Sequence, residues 1–165
     1  MLVQRDDRWL LTVRGADVDD APGQLGLVGG HLEHQGDSGP GVLEATARRE
    51  AAEEVGLDLA DAALTYLESE VFTTDAGVGQ VTVSFLVAAP EDQEPVVADP
   101  AELTALGWWT PGEAAADPRC PPWLPPMLAR AELRRRRAPA APPPAPRPPA
   151  ADDPAAPGPA APTAP

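Results

Sequence analysis

Apolar and polar residues alternate most clearly at two places along the chain. Leu2-Val3-Gln4-Arg5, a turn at Asp6-Asp7 and then Trp9-Leu10-Leu11-Thr12-Val13 read as a hairpin. Val81-Thr82-Val83-Ser84-Phe85-Leu86-Val87 alternates and then turns apolar, as a strand half or fully buried does. The same periodicity gives strands over residues 2–5, 9–14, 25–29, 64–73, 80–88 and 105–109, and helices over 42–55 and 123–136. Prolines 125 and 126 fall in the first turn of the second helix, where the missing N–H costs nothing. Strands of mixed length with helices between and after them predict an α/β layer architecture.

The first helix carries the candidate chemistry. It ends in Arg49-Glu50-Ala51-Ala52-Glu53-Glu54-Val55-Gly56-Leu57, with Gly56 as its stop. Offsets of three and four share one helical face, so Glu50, Glu53 and Glu54 crowd together and repel. A hard divalent cation relieves that repulsion most directly, and Mg²⁺ prefers carboxylate oxygens. Arg49 stands four residues before Glu53 and is placed to hold one carboxylate. The competing reading is an ordinary solvated acidic helix end.

Upstream, Leu25-Gly26-Leu27-Val28 leads into Gly29-Gly30-His31-Leu32-Glu33, and a loop with Gly36-Asp37-Ser38 connects to the helix. With these residues the chain resembles the Nudix hydrolases, whose signature is Gly, five residues, Glu, seven residues, then Arg-Glu-apolar-x-Glu-Glu-x-Gly-apolar. The C-terminal half matches at every fixed position, with Ala51 and Leu57 as the apolar members. The N-terminal half departs from it. Counting from Gly30, Asp37 replaces the first glutamate one residue late, and with Gly39-Pro40-Gly41 inserted, five extra residues separate Gly30 from Arg49. Glycine and proline there lengthen a turn without disturbing the helix face. Asp99-Pro100-Ala101-Glu102-Leu103 and Gly107-Trp108-Trp109-Thr110-Pro111 follow in the order of MutT-like members, so the resemblance spans roughly residues 1–133.

The resemblance implies a mixed sheet between helices, an α/β/α sandwich, and a diphosphate hydrolase that uses Mg²⁺, with Mn²⁺ as an alternative. It implies Glu53 and Glu54 as metal ligands, Glu50 as a ligand or as the holder of a metal-bound water, and the Gly30 carbonyl as a further ligand. Arg49 and Gly56 are structural members of the box. MutT-like relatives take another glutamate from a later loop as ligand or base, the place of Glu102; its plain reading is a surface acid, and Glu68, Glu70 and Asp75 compete for the base. The substrate implied is a nucleoside diphosphate linked to another group, most naturally a nucleoside triphosphate, oxidised or not, or a nucleotide conjugate. A nucleotide-binding regulatory domain without turnover is the alternative, disfavoured because all three box glutamates are present. Trp9, Phe72, Trp108 and Trp109 are candidates to stack on a base, although strand aromatics more often lie in cores, and Trp108 and Trp109 point to opposite sheet faces. Arg5 and Arg14 are candidates to meet phosphate, against a plainer reading as solvated strand ends. His31 receives no role.

Composition sets the limits. The 165 residues suit one domain, residues 1–137, followed by a tail. Residues 138–165 hold 12 of the 23 prolines, mostly with alanine, and no aromatic or large aliphatic residue; such a segment is expected to be a disordered, partly polyproline-II tail. Residues 1–133 carry 24 acids against seven arginines, a net −17, which repels nucleic-acid backbones. Arg134 to Arg137 make a basic helix end favoured by the helix dipole. Cys120 is the single cysteine, so no internal disulfide forms, and a structural thiol is expected. With no membrane-length apolar run and no signal peptide, a cytoplasmic location is the default expectation. Residue 1 opens directly in the first strand, which points either to a short edge strand or to a misplaced start. Nothing in the sequence specifies an oligomeric state.

Overall fold

The computed structural model describes residues 1–32, 39–73 and 77–137. Asp37, Asp75 and the tail at 138–165 lie outside the described residues. Among the described residues, six strands form one mixed sheet: β1 Leu2–Arg5, β2 Arg8–Arg14, β3 Leu25–Gly26, β4 Thr65–Thr73, β5 Gly79–Ala88 and β6 Leu103–Trp109. The same residues form three helices: α1 Val42–Val55, α2 Pro111–Ala116 and α3 Leu124–Arg137. The expected strand over 25–29 shrinks to two residues, because the chain turns out of the sheet at Gly29, where φ is 151°. The expected strand over 105–109 starts earlier, at Leu103. α2 was not anticipated, yet Thr110-Pro111-Gly112-Glu113 is a capping box with proline at the helix start, and both of its reciprocal hydrogen bonds form.

Strand alternation builds the two-sided core. In β2, Leu10 points to one face with Val3, Val28 and Val87, where α1 adds Ala51 and Val55. Trp9, Leu11 and Val13 point to the other with Leu2 and Leu25, where α3 adds Leu124, Met127, Leu128 and Ala131. Trp108 packs on the first cluster and Trp109 on the second, as their adjacency in a strand requires. Each such buried Leu or Val contributes roughly 1.5–3 kcal/mol of apolar burial.

The sheet is open at one point, and this opening positions the site. β1 and β3 pair with the same edge of β2, β1 through Gln4 and Arg5 and β3 through Leu25 and Gly26, so they lie end to end in one lane. The amino group of Met1 donates to the Val28 carbonyl at 2.5 Å, joining the two. β1 is therefore interior, antiparallel to β2 and parallel to β5, and not the edge strand that the sequence suggested. Because Leu2 registers with Leu86, residues 79–85 of β5 project past the start of β1. The chain that leaves the lane at Gly29 runs beside that projection.

Candidate functional site

α1 is an unusual core helix, since its buried face includes two carboxylates. Thr46, Glu50 and Glu54 follow one another at intervals of four and are all buried, next to the apolar stripe of Ala51 and Val55. Glu53 is exposed. Burying ionised carboxylates is costly unless they are paired, and the pairing here is partial. The Arg49 guanidinium meets Glu50 at 2.8 Å and Glu53 at 2.7 Å, and also donates to the His31 carbonyl at 3.3 Å. Glu54 accepts the Gly29 N–H at 3.1 Å. Arg49 thus holds two of the three carboxylates and the loop that faces them, more than the single contact its spacing suggested.

The glycine loop needs glycine at Gly30 for lack of space: a β-carbon there would run into the Glu50 carboxylate. Gly56 needs it for conformation. It closes α1 in the left-handed region at φ 68°, with its N–H on Ala52 and that of Leu57 on Ala51, and Val96 packs against it.

That last contact belongs to a strap that sequence reasoning missed. Residues 89–102 are fastened across the end of α1: Val96 N–H donates to the Val55 carbonyl at 3.0 Å and Ala98 N–H to the Glu54 carbonyl at 2.9 Å. Gln93 bridges Asp58 in both directions, and Arg5 donates to the Gln93 carbonyl and to Glu94 while its guanidinium lies 4.6 Å from the Trp108 ring centre. Arg5 is therefore a fastener of the strap, neither a free phosphate ligand nor a solvated strand end, and Arg14 is turned to the Asp20 carbonyl. At the end of the strap, the Glu102 carbonyl accepts the Gly15 N–H at 2.7 Å, and its exposed side chain lies near enough for its charge to act on both Glu50 and Glu54. Pro90, Pro95 and Pro100, with Glu91, Asp92, Glu94 and Asp99 among them, signal a loop, but only the tertiary fold shows where it is tied.

Glu68 and Glu70 are engaged elsewhere, with α3. Both are bound by Arg130 of α3, Glu68 through two bonds of 2.5 and 2.6 Å and Glu70 through one of 2.9 Å. Cys120 is half-buried in the second core cluster, and burial pushes its thiol pKa up, which suits a structural residue.

The electrostatics follow from the burial. Desolvation raises the Glu54 pKa to about 7, with Glu50 and Glu102 adding to the rise and the Gly29 hydrogen bond opposing it. Glu50 is also raised, first by desolvation, with Arg49 opposing. Folded Glu54 therefore keeps a proton that the unfolded chain releases near the ordinary glutamate value of 4.5. Its contribution to stability is full below that value and is lost as pH rises toward 7. In metal-free protein, thermal melting is expected to fall between about pH 5 and 8, and Glu54→Gln to flatten the fall by roughly 1–3 kcal/mol at the alkaline end. A wild-type melting temperature that stays level over this range would contradict it.

A hard cation suits this donor set. The groups are all oxygen, and two of the carboxylates are buried with too little positive charge beside them. No three acidic, histidine or cysteine side chains among the described residues stand gathered as a finished metal cage, since Glu53 is turned outward onto Arg49.

The NUDIX domain model matches residues 1–131. Among solved structures, a MutT NUDIX hydrolase from Burkholderia pseudomallei is 27% identical, with 78% of this chain and 92% of that one covered and a TM-score of 0.59. The NUDIX domain of Shewanella oneidensis NrtR complexed with ADP ribose is 22% identical over 81% and 82% of the two chains, with a TM-score of 0.63. A C. elegans Ap4A hydrolase binary complex is 14% identical over 82% and 92%, with a TM-score of 0.62. The last two likenesses bear on the fold alone. No curated protein matches the chain.

Proposed function

The chain belongs to the NUDIX family, and from that premise we propose that it hydrolyses a phosphoanhydride bond in a nucleoside diphosphate linked to another group. The observation that carries this reading is the burial of Glu50 and Glu54 on one face of α1, against the Gly29–Gly30 turn and within electrostatic reach of Glu102. A purely structural acidic helix end would leave these carboxylates in water. The structural relatives bound to ADP ribose or named for Ap4A support a nucleotide substrate.

Glu50, Glu53, Glu54 and the Gly30 carbonyl would hold Mg²⁺, or Mn²⁺ in its place. When bound, the ion supplies a water of lowered pKa and neutralises charge on the phosphate oxygens. Arg49 keeps Glu50 beside the glycine loop and binds the exposed Glu53. Glu102, carried on the strap, accepts the proton of the attacking water at its carboxylate. No helix among the described residues is long and apolar enough to cross a membrane, and the acidity of the domain argues against a nucleic-acid partner.

The test is a turnover screen with nucleoside triphosphates, ADP-ribose and dinucleoside polyphosphates, scoring phosphate, pyrophosphate and the nucleotides released, with Mg²⁺ and with a chelator. Cation-dependent release from at least one is expected. Binding of nucleotides with no release from any would replace this reading with that of a nucleotide-binding domain.

A further inference from the structure

We propose that the turn Asp99-Pro100-Ala101-Glu102 is the device that fixes the Glu102 carboxylate beside α1, with Asp99 and Gly15 as its positioning residues. The proposal rests on the reading of the chain as a hydrolase in which Glu102 takes the proton of the attacking water.

Glu102 differs from the other acids of the site in how it is held. Arg49 grips Glu50 and Glu53, and the Gly29 N–H binds Glu54. The Glu102 side chain is exposed, and among the described residues its carboxylate has no hydrogen-bond or ion-pair partner. Its aim is therefore set by where the backbone carries its Cα, and a displacement of about 1 Å at a reacting centre costs up to about 10²-fold in rate.

Three bonds set that backbone. Asp99 Oδ1 accepts the Ala101 N–H at 2.9 Å, the bond by which an Asp side chain closes a turn on the residue two further on. The Leu103 N–H donates to the Asp99 carbonyl at 3.0 Å, where β6 begins. The Gly15 N–H, just past the end of β2, donates to the Glu102 carbonyl at 2.7 Å. Pro100 fixes one φ inside the turn. Gly15 also sets how near the turn can come. A β-carbon there would lie 3.1 Å from the Ala101 carbonyl oxygen and 3.2 Å from that of Glu102, tighter than ordinary contact, so an added methyl group pushes the turn outward by a few tenths of an ångström.

An Asp-Pro turn by itself is common loop chemistry. This one is distinguished by what its two ends are tied to. At one end, the Ala98 N–H, immediately before Asp99, donates to the Glu54 carbonyl at 2.9 Å, so the turn hangs from the backbone of a box glutamate. At the other, Leu103 registers with Arg14 at the β2–β6 corner. Glu102 stands between the two, and its charge acts on both Glu50 and Glu54. Asp99 keeps the turn closed, and Gly15 fixes its distance from the sheet.

Two measurements on the full chain test this. Amide hydrogen exchange, read by NMR without substrate, should speed up about tenfold or more at Ala101 and Gly15 in Asp99→Ala and keep the wild-type rate in Asp99→Asn, whose amide oxygen accepts the same N–H. Steady-state rates on a substrate found in the turnover screen should show kcat lowered about tenfold in Asp99→Ala and in Gly15→Ala, with KM within about twofold, and kcat retained in Asp99→Asn. On a Glu102→Gln background neither Asp99→Ala nor Gly15→Ala should lower kcat further, because both act through that carboxylate. Wild-type exchange in Asp99→Ala, wild-type kcat in both variants, or a loss that persists in full on the Glu102→Gln background each overturns the proposal. Faster exchange in Asp99→Ala, in a protein that hydrolyses nothing, would sustain the turn as the holder of Glu102 and defeat the hydrolase reading instead.

Discussion

Glu53→Gln and Glu54→Gln are each expected to lower turnover by about 10²- to 10³-fold while the domain stays folded, the range associated with losing one fixed electrostatic group at a reacting centre. Each exchange keeps side-chain volume and removes one negative charge from the set that would hold the cation. The two differ in their effects on the protein itself. Glu53 is exposed and held by Arg49, so its loss leaves stability nearly unchanged. Glu54 is buried, desolvated and repelled by Glu50 and Glu102, so the amide should raise metal-free stability at pH 8 while turnover falls. Steady-state rates with Mg²⁺, paired with thermal melting in chelator, separate the two effects. Wild-type turnover in both variants would remove these carboxylates from the reaction.

Much of this site could be read from the chain because its determinants are local. Arg49, Glu50, Glu54 and the stop at Gly56 lie within a few residues on one helix, where spacing assigns the face, whereas Glu53, expected on that face too, is turned outward onto Arg49. The sandwich was legible for a related reason, since strand alternation marks both of its faces, as Leu10 and Leu11 show by entering different clusters. What the sequence concealed depends on long-range register. Nothing local announces that β1 and β3 share one edge of β2, that β5 overhangs β1, or that residues 96–98 cap the end of α1. The burial of Glu54 was equally hidden: a Glu at that spacing reads as solvated until the Gly29 turn is seen to close over it. α2 is a different kind of miss, since its capping box was present in the sequence.

Glu102 is where long-range structure changes the argument most. From the sequence it competed with Glu68, Glu70 and Asp75 for the role of base. Glu68 and Glu70 are now engaged by Arg130. Glu102 is carried on a strap whose backbone is bonded to the same α1 turn that bears Glu54, and its charge is felt by Glu50 and Glu54. Glu102→Gln is expected to depress kcat by about 10²-fold or more, as loss of a general base does. Stability should change little, because the side chain is exposed and the Gly15 bond uses its backbone carbonyl. The same substitution at Glu68 or Glu70 should leave kcat near the wild-type value. The rate–pH profile adds a second criterion: the acid limb should flatten in Glu102→Gln if this carboxylate takes the proton, and keep its shape if Glu102 only tunes its neighbours. A larger loss of kcat at Glu68 or Glu70 than at Glu102 would move the base to the α3 side of the sheet.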